Sequence, residues 1–146
     1  MRRLLNVIIL MLISFIFLGC ASAVQYAPLP DQSKSIDNPE KSRIYVIRPT
    51  TFGGAIGIDI LDGDEHIGKT GPNTYLSWER DPGETIIYSR AENTFELPLE
   101  AKKGLQYFIE QEIHMGIWSA RSSLKVLPEE EGKEKLKECK PAQAKN

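Results

Sequence analysis

The sequence predicts an all-β fold: an antiparallel β-sandwich of seven or eight short strands with one short C-terminal helix. Three observations predict it. Between Arg43 and Leu127 apolar residues recur at every second position, the period of half-buried strands. Turn signatures such as Asp62–Gly63 and Asp81–Pro82–Gly83 break that stretch at short intervals. A stretch of about 85 residues can bury one modest core and no more.

The chain opens with Met1–Arg2–Arg3 and an apolar run from Leu4 to Leu18, interrupted by Asn6 and Ser14. That run is short for a membrane-spanning helix, which needs roughly 20 residues. A basic start, an apolar middle and small residues behind it form an export signal. Two cleavage readings compete. Ala21–Ser22–Ala23 fits ordinary signal peptidase and would release a chain beginning at Val24. Phe17–Leu18–Gly19–Cys20 resembles a bacterial lipobox, in which cleavage precedes a cysteine that receives diacylglycerol and an N-acyl chain. Cys20 stands at the end of the apolar run, where a lipobox cysteine belongs, and the lipoprotein reading is the expected one. Residues 1–19 are then the signal peptide, and Cys20 carries the lipid that holds the chain to a membrane. In the lipoprotein class, Ala rather than Asp at position 21 points to the outer membrane of a two-membrane host, facing the periplasm.

Residues 20–42 contain Pro28, Pro30 and Pro39 among Asp, Gln, Ser, Lys and Asn, the composition of a tether. About twenty residues near polyproline extension, at roughly 3.1 Å each, reach on the order of 60 Å. The domain proper is expected over 43–139. Arg43–Arg48 is β-rich and stops at Pro49. Ile56, Ile58 and Ile60 alternate with Gly57 and Asp59, and Asp62–Gly63 turns the chain into a return strand, Glu65–Lys69. Asn73–Trp78, with Trp78 in the core, and Glu84–Arg90 follow. Phe95, Leu97 and Leu99 alternate with polar residues, and Pro98 marks that strand as an edge. Leu105–Ile113 is the longest run, with Tyr107, Ile109 and Ile113 on one face; Leu124–Leu127 ends the series. Pro128 then sets the first turn of a helix with Glu129–Glu131 at its start and Lys133, Lys135 and Lys137 behind, an order that suits the helix dipole. Leu136 and Cys139 supply its only apolar stripe. Residues 140–146 read as a disordered tail.

Charge and cysteines bound the function. The chain has eighteen Lys and Arg; removing residues 1–19 takes Arg2 and Arg3 and leaves sixteen against twenty Asp and Glu. A dispersed, net acidic surface does not suit nucleic acid, whose binding rests on clustered cations. A Cys20–Cys139 disulfide fails on either cleavage route, since lipidation consumes one sulfur and ordinary cleavage removes it. Cys139 is then either tucked away and inert or open to an intermolecular bridge.

Gly63 and Gly68–Lys69–Thr70 satisfy the phosphate-loop pattern G-x-x-x-x-G-K-[ST]. That chemistry needs a helix starting at the lysine, whose free N–H groups hold the phosphates. Here Gly71–Pro72–Asn73 breaks any helix, and Asp64 and Glu65 would set negative charge beside the phosphate. No alternating βαβ pattern surrounds it. The match is read as spurious, with no nucleotide as a ligand. His66 and His114 lack metal-ligand spacing, and neither a nucleophile elbow nor a Cys–His pair is present. No catalysis and no cofactor beyond the lipid are expected.

Arg43–Pro49, Ile60–Gly63 with Ile67–Gly68, Tyr75, Pro82–Glu84, Gly104–Phe108 and Leu127–Gly132 together resemble a domain-of-unknown-function family of small bacterial lipoproteins. The middle is also similar to PEGA-type β modules, with their D-G-x-x-x-G and later P-G turns. The resemblance spans Arg43 to Cys139. It implies a PEGA-like or transthyretin-like sandwich, brings no catalytic residues and names no ligand.

One segment invites a contact role. Ile113–Arg121 is apolar, carries a glycine and does not alternate cleanly. It is either a loop presenting Met115, Trp118 and Arg121 to another envelope protein, or a strand packing Ile117 or Trp118 into the sandwich edge. The expected role is a lipid-anchored envelope interaction or assembly module. The alternative is a small-ligand or glycan carrier binding near Trp118.

Overall fold

A computed structural model describes residues 36, 38–54 and 56–142. The signal segment, Cys20 and most of the tether lie outside the described residues. The elements are β1 Ser42–Arg48, β2 Ile58–Asp62, β3 Glu65–Thr70, β4 Thr74–Arg80, β5 Gly83–Arg90, β6 Thr94–Ala101, β7 Gln106–Met115, β8 Ala120–Leu127, helix α1 Glu129–Lys137 and β9 Lys140–Pro141. They form two packed sheets. One has four antiparallel strands in the order β3-β2-β5-β6. The other has five, β8-β7-β1-β4-β9, and is mixed: β1 runs parallel to β7, and β4 parallel to β9. The expected sandwich is therefore present, with two parallel pairings that alternation alone does not signal.

Every residue of β1 is buried, because both faces of this central strand are covered. Ile44 and Val46 point between the sheets, where they meet Leu76, Trp78, Ile109 and Leu124 of their own sheet and Ile60, Ile87 and Leu99 of the other. Tyr45 and Ile47 point outward and are roofed by α1, with Tyr75, Phe108, Leu127, Cys139 and Leu136. The rings of Tyr45 and Phe108 stack at 4.9 Å. Leu136 and Cys139 thus form the apolar stripe read from the sequence. Lys135 ties the helix to β7 by a 2.8 Å bond from its Nζ to Glu110. Pro128 occupies the N-cap, one position before the helix starts. Pro98 sits on β6, an edge strand as expected.

Nine strands form where seven or eight were expected, and several boundaries need correction; β8 starts at Ala120, four residues before the expected Leu124. Residues 140–142 are not tail: the N–H of Lys140 bonds Asn73 O at 3.0 Å, that of Ala142 bonds Tyr75 O at 2.8 Å, and Ala142 enters the core. The open edge of β4 accepts this short strand, and Pro141 is tolerated because an edge leaves its missing donor facing out. Ser42 belongs to β1 rather than the tether, and the chain is tied to the domain from Glu40, which pairs with Lys103 at 3.2 Å, and Lys41, whose carbonyl takes the Gly104 N–H at 2.7 Å. The hairpin turn is Gly63–Asp64, one residue later than the Asp-Gly signature suggests, with Asp62 paired to Glu65. Gly63 has φ 58° and Asp64 is not left-handed, the arrangement of a type II′ turn. Finally, β7 starts after the exposed Leu105 and runs on to Met115.

Cys139 is a buried, unbridged thiol. Burial, helped by Glu138, pushes its pKa up to about 11. The thiolate is the reactive form, so the folded protein should resist a thiol reagent near neutral pH until denaturant is added. Rapid alkylation of native protein, followed by intact mass, would contradict this placement.

Candidate functional site

The phosphate-loop residues are scattered by the hairpin. Gly63 is in the turn, Lys69 lies on β3 paired with Asp59 at 3.3 Å, and Thr70 is buried with its hydroxyl 2.5 Å from Gln111 Oε1. A turn and β4 follow, not a helix. Lys69 is half exposed, and a surface ion pair is worth about 0–1 kcal/mol. Lys69→Ala should therefore shift the unfolding midpoint little, and calorimetric titration should show no nucleotide affinity for that change to abolish. His66 bonds Asp59 at 2.8 Å and His114 bonds Ser123 at 2.8 Å, each a local contact. Among the described residues no three His, Cys, Asp or Glu side chains converge as metal ligands would.

The segment from Met115 to Arg121 is a hairpin tip. Met115 pairs with Ala120, leaving the loop 116–119. Met115 is 83% exposed, Ile117 79% and Trp118 92%. The edge-packing alternative for Ile117 and Trp118 is thereby set aside; Trp78, at 4%, is the core tryptophan. Arg121 is exposed at the base of the tip.

The tip is braced from the other sheet. Glu92, in the β5–β6 turn, accepts three backbone N–H bonds: from Ile117 at 3.1 Å, Trp118 at 2.8 Å and Ser119 at 2.7 Å. Its own N–H bonds Ala120 O, and the amide of the neighbouring Asn93 clasps both the N–H and the C=O of Ser122. Gly116 makes this closure sterically feasible: a Cβ there would run into Ser119 O and the Glu92 carboxylate. A second loop lies alongside. Arg48, buried at the end of β1, donates to Ile56 O at 2.7 Å and Phe52 O at 3.0 Å. This curls the loop around residues 49–54 so that Gly53, at φ 86°, rests against Ile113 and Ala120, with Phe52 half exposed.

The amide donors, that of Trp118 first, hold the Glu92 carboxyl below its ordinary value of 4.5, and Arg121 adds to this. A depressed folded-state pKa means the brace is complete above the ordinary glutamate range and is lost as pH falls through the folded value. Protection of the 117–119 amides, taken as the observed exchange rate against the intrinsic rate at each pH, should be high at neutral pH and fall selectively in acid below that range. Unchanged protection at these amides across the pH series would contradict the brace.

At the opposite end lies a cleft of about 540 Å³ lined by Asp62, Glu65, His66, Trp78, Arg80 and Thr85, among others. Four of its polar groups are engaged with one another. Asp62 accepts bonds from Trp78 Nε1 at 2.8 Å, Arg80 at 2.5 Å and Thr85 at 2.5 Å.

Sequence reasoning reached Met115, Trp118 and Arg121 through composition. It missed Glu92, whose partners are 25 to 27 residues away on the other sheet, and no local pattern announces such a contact.

No family model matches the chain. It is 27% identical to an uncharacterized protein of Haemophilus influenzae strain Rd over 126 residues, spanning 83% of this chain and 75% of the other. That likeness brings no activity with it.

Proposed function

We propose that this protein is a lipid-anchored, non-catalytic interaction module of the bacterial cell envelope, held through Cys20 and making contact through the β7–β8 tip. The observation that carries the contact is the set of three large apolar side chains, almost fully exposed, on a loop whose backbone is fixed by Glu92. Nearly bare apolar groups cost solubility, and a loop ordered by a cross-sheet clasp keeps them presented. The anchor rests on the signal segment and the lipobox-like Phe17–Cys20, and Ala21 favours the periplasmic face of an outer membrane.

The anchor is tested by Cys20→Ala, which should move the protein from the membrane to the soluble fraction. Unchanged membrane association would remove the lipobox reading. The contact is tested by a photo-crosslinking residue at position 118, which should give envelope adducts that the same residue placed at exposed Lys125 does not. A second reading, a small-ligand carrier, draws on the polar cleft rather than on Trp118, since a side chain that exposed encloses nothing.

A further inference from the structure

The β1–β2 loop, the β5–β6 turn and the β7–β8 tip share one end of the sandwich, as the register requires: β1 and β7 run parallel, and Arg90 pairs with both Asp59 and Thr94. The tether enters at the other end. There the N–H of Gly104 bonds Lys41 O, and Lys41 pairs with Asp81. The two ends differ in charge. Around the tether-end turns Glu40, Asp62, Asp64, Glu65, Asp81 and Glu84 outnumber Lys41, Arg80, Lys102 and Lys103, with several of which they pair. At the tip Arg90 and Arg121 flank Glu92.

We infer that the tip seats in the headgroup region of the bilayer that carries the chain's own lipid. This rests on the proposed roles of Cys20 and the tip. Four observations converge on a bilayer rather than a partner's groove. Met115, Ile117 and Trp118 stand almost wholly exposed on a hairpin tip, and half-exposed Phe52 lies on the neighbouring loop. Tryptophan and arginine are suited to the water–lipid boundary, with an apolar body inside and a polar end in the headgroups. Backbone donors entering that region need partners, and those of Ile117, Trp118 and Ser119 already have one in Glu92. The charge asymmetry sets the orientation: arginines meet an anionic leaflet while the acidic end is held away from it.

The tether permits this inverted posture. Eighteen residues lead from Cys20 to Asn38, enough to cover about 56 Å if drawn out at roughly 3.1 Å each, whereas the ten residues of β7 span about 34 Å. The chain can therefore run back along the domain. Tethering makes the contact intramolecular, so a small apolar tip suffices at an effective concentration in the millimolar range.

The test uses full-length protein purified with its lipid and reconstituted into vesicles of zwitterionic and anionic phospholipid, with acyl-brominated lipid as quencher. The Trp118 emission, obtained as the difference between wild type and Trp118→Phe, should be blue-shifted in unbrominated vesicles and quenched by bromolipid in the anchoring bilayer. Buried Trp78, the remaining signal, should be unaffected. Met115→Asp with Ile117→Asp should abolish the quenching and open Trp118 to a soluble quencher, with the unfolding transition retained. Quenching only when the bromolipid is in added, separate vesicles would overturn the assignment to the chain's own bilayer. Absence of quenching in both, from a protein whose mass shows the lipid, would overturn bilayer seating and leave a protein groove as the site. A mass without lipid would instead remove the anchor, and quenching by added vesicles would then show that the tip binds lipid unaided.

Discussion

Gly132→Ala should lower the stability of the domain by about 1–3 kcal/mol, although alanine is the better helix former. Propensity alone favours alanine by roughly 1 kcal/mol in a helix interior. The site overrules it. A Cβ on Gly132 would lie inside contact distance of Phe108 Cβ and Cγ, and 2.8 Å from Cδ1. Phe108 cannot yield easily: it is buried, and its ring stacks on Tyr45 at 4.9 Å. The helix must rise instead. That strains the Lys135–Glu110 bond and pulls on Lys140–Pro141, which pair with β4 just three residues past the helix. Urea unfolding followed by far-UV circular dichroism measures the loss. A gain in stability would mean that α1 does not sit on Phe108.

Asp62→Ala should cost more, about 3 kcal/mol, at the low end for breaking a buried ion pair. The carboxylate holds three donors at once, so its removal strands the Trp78 indole N–H and the Thr85 hydroxyl as well as the Arg80 guanidinium. The cost stays at the low end because Arg80 keeps some solvent contact and a bond to Asp81 O. For a domain of this size the melting midpoint should fall by more than about 12 °C. Asp62→Asn retains the shape and one acceptor oxygen and should lose less. Equal melting points for wild type and Asp62→Ala would show that the cleft residues do not bind one another as described.

Most of the sandwich was legible because half-buried strands write their period into the chain. Ile44 and Val46, or Leu97 and Leu99, face one way by alternation alone. What was illegible depends on contacts between distant segments. Asp62 looks like a turn residue beside Gly63, yet it ends a strand and organises the neighbouring end of the core. Gln111 breaks the apolar pattern of β7 but is fully buried, satisfied by Thr70 and Ser89. Arg43 and Arg48 read as the polar borders of β1, and both are buried. The strand Lys140–Pro141 is too short for any period. In the candidate site, the apolar side chains were visible in composition, but their exposure was not. A Trp in a Gly-bearing apolar stretch is compatible with core or surface until the brace from Glu92 is known.

The central place of β1 also sets a timetable. This first-made strand of the domain finds its antiparallel partner only at β4 and its parallel partner only at β7, where Arg43 lies opposite Gln106. Pairings so far apart in sequence close large loops and are slow to form. As a nascent chain emerges, β1 therefore waits some sixty residues for its second neighbour, and the helix that covers its outer face comes later still. The topology delays native structure until nearly the whole chain is available. That delay suits the export proposed for this chain, in which the polypeptide would be threaded unfolded across a membrane before folding on the far side.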